Sequence, residues 1–260
     1  YTDTQVNFAG RTDAFFASMA RPDRPLAADE PAGKTLRIAS IDIGGGTTDL
    51  AITQYRLDDG VGNNIKINPR LLFREGFKVA GDDILLDVIQ LFILPAVQQA
   101  IEDAGVAAPV AVMDKLFGNE GRMDGFSTLR QQTALQIFMP LGRALLAAYE
   151  DYDPLDAQAE VAAGLGDLLP QAPTPQVLTF INGEIQRETG TSSFDILHTP
   201  LVVRLGDLHS AFLSDRIGIG RCLRLLCEVV ALYTCDVLLL TGRPARFPGV
   251  QALLRHLQPL

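Results

Sequence analysis

Asp42-Ile43-Gly44-Gly45-Gly46-Thr47-Thr48-Asp49 is the stretch that decides the fold, set between the apolar runs Leu36 to Ile41 and Leu50 to Ile52. Both flanks have the Ile and Leu content of strands and are bounded by turn residues. A bare turn needs one or two glycines; three in a row allow positive φ and let the backbone come within contact distance of a ligand. Unhindered N–H groups in such a turn form an anion site, and the hydroxyls of Thr47 and Thr48 add donors. Asp42 and Asp49, one at each side of the mouth, can hold a hydrated divalent cation against the phosphates. Glycine-rich hairpins also occur simply to turn a strand or admit a neighbouring backbone. The paired carboxylates tip the reading toward a Mg-nucleotide, because they repel each other unless a cation or hydrogen-bond donors compensate.

Composition narrows the classes. A chain of 260 residues with 47% hydrophobic content can bury the core of one large domain or two small ones, as a soluble globular protein. With 31 acidic against 22 basic residues and a net charge of −9, sequence-independent nucleic-acid binding is excluded, since that needs clustered Lys and Arg to replace counterions. Cys222, Cys227 and Cys235 are odd in number and sit among Leu, Val and Tyr without a C-x-x-C spacing, so they read as buried reduced thiols. That usage points to a reducing compartment and a cytoplasmic location. His198, His209 and His256 are too scattered to build a zinc site with them. Residues 84–101 and 222–240 are apolar but interrupted by Asp87 and Gln90, and by Arg224, Glu228 and Asp236, so no membrane span is expected. Tyr1 opens a mixed polar stretch without an initiating Met or a secretory signal, which reads as part of a longer chain.

Along the chain, residues 1–35 carry Pro22, Pro25 and Pro31 and form a lead-in with one helical turn at Phe15-Phe16. The glycine hairpin follows, then a turn at Asp58-Asp59-Gly60-Val61-Gly62-Asn63-Asn64 into a third strand from Ile65 to Phe73, completing an antiparallel meander. From Asp82, Ile84, Leu85, Val88, Ile89, Phe92, Val97 and Ile101 recur at helical spacing, with Pro95 kinking or dividing the helix. A polar gap with Gly118, Gly121 and Gly125 precedes a second long helix over 126–151, kinked before Pro140. Residues 152–175 read as a loop, 176–188 as a strand with an Asn182-Gly183 turn, and 196–203 as extended. Residues 205–232 read as one helix, 236–241 as a strand buried on both faces, and 248–257 as a closing helix. This order is that of a ribonuclease-H-like α/β layer built from residues 36–81 and 205–260, with residues 82–204 as an inserted α+β subdomain.

The motif Asp42 to Leu50 resembles the second phosphate motif of the actin, DnaK-type chaperone and sugar-kinase ATPase superfamily. Val79-Ala80-Gly81-Asp82-Asp83, leading into a helix, is similar to the segment that follows it there, and Val237 to Val250 resembles the chaperones' adenosine motif. Among these families the wording, in particular Thr241-Gly242-Arg243-Pro244, is similar to that of bacterial SrfB-type virulence factors. The resemblance implies the second lobe of an actin-like ATPase that binds ATP and Mg. Gly44, Gly45, Gly46, Thr47 and Thr48 would hold phosphates, Asp42 and Asp49 would orient Mg-bound waters, and Gly242 would let adenosine lie against a strand end. Arg243 stands where the chaperones have a second glycine, with Pro244 after it, which reshapes that shelf. Arg246 stands where an Arg stacks on adenine, a role its guanidinium suits.

The superfamily's nucleotide lies between two lobes, and no second Asp-x-Gly-Thr-type turn occurs in this sequence. The expected partner is therefore an N-terminal lobe of the same chain, without which phosphoryl transfer would be negligible. Two alternatives stay open: a non-catalytic scaffold that binds a protein through residues 105–204, and a small-molecule kinase lobe.

Overall fold

Alternation of apolar and polar residues along two neighbouring strands builds the central sheet. A computed structural model describes residues 12–26, 30, 33–58, 66–118, 125–190, 193–257 and 259–260. Residues 1–11 of the lead-in, residues 59–64 of the turn expected at 58–64, and Gly121 lie outside these described residues.

In β1 (Thr35–Ile43) and β2 (Thr48–Asp58), the residues Ala39, Ile41, Ile43, Leu50 and Ile52 are fully buried on one face. Antiparallel register places Ile41 opposite Leu50 and Ala39 opposite Ile52, so each pair closes the same core layer. Each of these Ile and Leu side chains contributes about 1.5–3 kcal/mol of transfer free energy. On the other face, Leu36 and Leu57 pack with Phe16 of α1 (Thr12–Met19). The opposite end of that second face carries Asp42 and Asp49.

The third strand, β3 (Lys66–Phe77), pairs with β2 and completes the meander, with a register shift at Ile52/Thr53. A fourth strand, β6 (Val237–Thr241), runs parallel to β1, giving a mixed sheet of order β3-β2-β1-β6 in an α/β protein. The sequence reading of β6 as buried on both faces is corrected here. It is the edge of the described sheet, and Leu239 is 48% exposed. A continuous apolar run does not by itself distinguish a central strand from an edge.

A buried ion network fixes the start of β6. The Asp236 carboxylate accepts from the backbone N–H of Arg21 (2.9 Å), the backbone N–H of Arg37 (2.7 Å) and Arg24 Nε (3.0 Å). Arg24 also donates to Glu30 (3.1 Å) and to the Thr35 carbonyl (3.0 Å). The lead-in is thereby held to β1 and β6 by charge-assisted hydrogen bonds in addition to the Phe16 contact.

By compactness the chain divides into two units, Tyr1–Asp82 with Gly218–Leu260, and Asp83–Ile217. The second unit is mainly helical. A helix begins at α2 (Gly81–Val88), passes through a π-helical turn at Ile89–Ile93 and continues as α3 (Leu94–Asp103). Then come α4 (Pro109–Phe117), α5 (Ser127–Thr133), a second π-helical turn at Ala134–Phe138, and α6 (Met139–Glu150). Pro95 and Pro140 each sit at the start of the helix that follows a π turn. The wider turn accommodates a residue that lacks an N–H and would clash with the preceding carbonyls. The span Gly81–Asp103 is long and apolar enough to cross a membrane by length and composition, yet Ile84, Val88, Ile93, Val97 and Ile101 along it are fully buried in the protein.

Three further sequence expectations are corrected in this unit and at its end. Residues 152–175 hold β4 (Glu160–Gly164) and the short α7 (Leu165–Leu168); β4 pairs antiparallel with β5 (Pro200–Arg204). Residues 176–188 form a helix, α8 (Pro175–Thr189), rather than a strand with a turn. Val177, Ile181 and Ile185 recur every four residues on its buried side, Pro175 opens it, and Gly190 ends it at φ 69°. The Asn182 amide bonds Asp195 and the Ile196 N–H instead of closing a turn. Residues 205–232 form two helices, α9 (Leu205–Leu213) and α10 (Ile219–Leu232), interrupted where Asp215 takes φ 57°. The closing helix α11 (Pro248–Leu257) lies where the sequence places it.

Candidate functional site

Ile43 and Thr48 form the last rung of the β1–β2 ladder, leaving Gly44 to Thr47 as the loop. The loop is closed by Gly44 N–H donating to the Thr47 carbonyl at 2.9 Å. Two other segments converge on it. Gly81 and Asp82 donate their N–H groups to the carbonyls of Gly44 (3.0 Å) and Gly45 (2.7 Å). Behind Gly81 stands Pro244: a Cβ at Gly81 would lie 3.0 Å from both the Gly44 carbonyl oxygen and Pro244 Cγ. Gly242, one residue beyond β6, is tighter still. It takes φ 87° and ψ 156°, and a Cβ there would meet the Ile43 carbonyl oxygen at 2.0 Å and Asp42 Oδ1 at 3.0 Å. Only glycine fits that position.

None of Gly44, Gly45 and Gly46 has positive φ, so the expected conformational reason for three glycines does not hold, and a steric one replaces it at Gly44 alone. A Cβ on Gly44 would crowd the Thr47 carbonyl at 3.1 Å, and one on Gly45 would face the Asp82 carboxylate at 3.7 Å. One on Gly46 would meet nothing within 4 Å, in open space above the loop. The N–H groups of Gly45, Gly46 and Thr47 have no hydrogen-bond acceptor among the described residues, and all three residues are exposed.

Thr48 is buried, and its hydroxyl donates to the Val79 carbonyl at 2.7 Å, tying the loop to the segment that carries Gly81. Its role is therefore to position the loop. Thr47 Oγ1 donates to Asp49 Oδ2 at 3.0 Å, which orients that carboxylate. Asp42 and Asp49 are exposed and directly opposite each other across β1 and β2. Like charges in that relation destabilise a sheet unless a counter-charge lies between them. Gly76 of β3 sits beside Asp49, where a Cβ would be 2.9 Å from Asp49 Oδ1. Among the described residues no three acidic, His or Cys side chains are placed to ligate a metal ion directly.

The sequence reading did not assign Asp82 or Gly76 to the site. The signal for Asp82 was its place after Gly81, and for Gly76 its pairing with Asp49, which only register reveals. Gly242 falls against the start of the loop, at Ile43. Arg243 and Arg246 follow on an exposed 3₁₀ turn, while Pro244 and Ala245 between them are buried. At the first turn of such a helix the missing Pro N–H costs no hydrogen bond.

Fold and site thus define an α/β protein whose glycine turn, at the C-terminal ends of the parallel strands β1 and β6, presents free backbone donors beside two carboxylates. The model of the family Virulence factor SrfB matches residues 1–260, and the chain belongs to that family. No curated protein matches it.

Proposed function

We propose that the glycine turn binds the phosphates of Mg-ATP and that this chain supplies one half of an inter-lobe nucleotide clamp in an actin-like, ribonuclease-H-like architecture. One observation carries the reading: three successive unengaged N–H groups, on Gly45, Gly46 and Thr47, lie beside the facing carboxylates of Asp42 and Asp49. The donors suit phosphate oxygens, and a hydrated Mg between the carboxylates would relieve their repulsion. The position also supports it, because ligands of α/β sheets bind beyond the carboxyl ends of parallel strands. The mixed sheet β3-β2-β1-β6, with one parallel strand added to a meander, is compatible with such an α/β architecture. Gly242 brings the chain against the end of β1, so the turn that carries Arg243 and Arg246 follows directly beyond the loop. Phosphoryl transfer would need groups from the facing lobe, so this reading assigns binding to the chain and hydrolysis to the assembled cytoplasmic protein.

Calorimetric titration of the full-length parent protein with Mg-ATP tests the proposal. Saturable binding is expected, weakened at least about tenfold by Asp49→Ala, a loss of about 1.4 kcal/mol. Binding that is absent, or indifferent to Asp49→Ala, refutes it.

A further inference from the structure

The helical unit holds a second candidate ligand site. Between α4, α5 and α8 lies a cleft of about 560 Å³, a volume within the range of small-molecule pockets. Its apolar lining includes Phe126, Leu129 and Phe180, and the two aromatic rings lie 5.4 Å apart at an interplanar angle of 31°. Phe126 is 41% exposed, a large apolar surface left in water. One wall is charged. The Glu184 carboxylate, buried in that wall, bonds Lys115 through one oxygen and Arg187 through the other. Both acceptor atoms are thereby committed, and both cations are held in place with donor capacity to spare. Two positive charges against one negative leave the wall cationic on a chain whose net charge is −9.

We infer that this cleft binds a small molecule with a flat aromatic body and one carboxylate. The rings of Phe126 and Phe180 would take the body, and Lys115 and Arg187 would take the anion. Helical spacing produces the arrangement. Phe180, Glu184 and Arg187 share one stripe of α8, and the adjacent stripe of Val177, Ile181 and Ile185 is buried in the core. An aromatic amine of the same shape would meet two like charges and bind less well.

The probes are 1-naphthoate and 1-naphthylmethylamine, titrated into the whole chain by calorimetry. Naphthoate should bind at least about tenfold more tightly than the amine. Lys115→Met, which keeps the apolar stem, should remove most of that preference, and Thr179→Phe, on an exposed position of the cleft, should abolish binding. An unchanged melting temperature shows that each variant is folded. Equal affinity for the two probes, naphthoate binding that survives Thr179→Phe in a folded variant, or no naphthoate binding at about 1 mM overturns the inference.

Discussion

Gly242→Ala should strongly destabilise the fold, and two terms set the size of the effect. At φ 87° and ψ 156° the backbone occupies a region essentially reserved for glycine, and a side chain there costs about 1–3 kcal/mol. The new methyl would stand 2.0 Å from the Ile43 carbonyl oxygen, which is backbone and cannot rotate away, so overpacking adds about 1–3 kcal/mol. Together they give ~4 kcal/mol, a large share of the ~5–15 kcal/mol by which domains are stable. For an m-value of ~2 kcal/mol/M this is a drop of ~2 M in the urea midpoint, followed by far-UV circular dichroism. Amide exchange at the end of β1 should accelerate about a thousandfold. Gly46→Ala is the internal control: with negative φ and no neighbour within 4 Å, its methyl should leave the midpoint within about 0.5 M of wild type. That same methyl adds bulk at the residue between Gly45 and Thr47, whose N–H groups the proposal assigns to phosphate, so it should weaken Mg-ATP binding without unfolding anything. A Gly242→Ala midpoint shifted by less than about 0.5 M refutes the steric reasoning.

Three further outcomes are expected. Asp236→Ala removes the acceptor shared by Arg21, Arg24 and Arg37 and strips buried Arg24 of one partner, costing about 3–5 kcal/mol. Chymotrypsin should then cut after Phe15 or Phe16 faster than in wild type; unchanged cleavage and urea midpoint would count against the network. His209 accepts or donates at Nδ1 with the Tyr149 hydroxyl at 2.8 Å, and burial lowers its pKa below the ordinary 6.5. The fold thus favours neutral imidazole: this contribution is whole above the unfolded value and is lost as pH falls from 6.5 toward the folded pKa. Melting temperature measured from about pH 7.5 down to 5.5 should fall more steeply for wild type than for His209→Gln. Burial pushes Cys227 and Cys235 up to about 11 and raises Cys222 as well, so none should react with a disulfide reagent at neutral pH until denaturant is added.

Much of the sheet was legible because its signals are local. The period-two burial of β1 and β2, the four-residue loop between them and the strand after it can all be read from neighbours in sequence. The helical unit was less legible where two signals competed. Asn182-Gly183 has the composition of a hairpin turn, but the four-residue spacing of Val177, Ile181 and Ile185 prevailed because burying that stripe outweighs the turn preference of two residues. The β4–β5 pair was missed because its short strands lie far apart in the chain, and pairing over such a distance leaves no local pattern.

The sequence alone determined the glycine turn, its two carboxylates, the meander and the closing helix, since each depends on backbone permissiveness or periodicity within a few residues. Tertiary structure alone decided why the glycines are there. Gly81 and Gly242 lie 37 and 198 residues beyond Gly44, yet both abut the strand end at Ile43 and Gly44 because β6 returns parallel to β1 and the segment after β3 folds back onto the loop. Close approach between distant backbones is a property of packing. No window of sequence contains it.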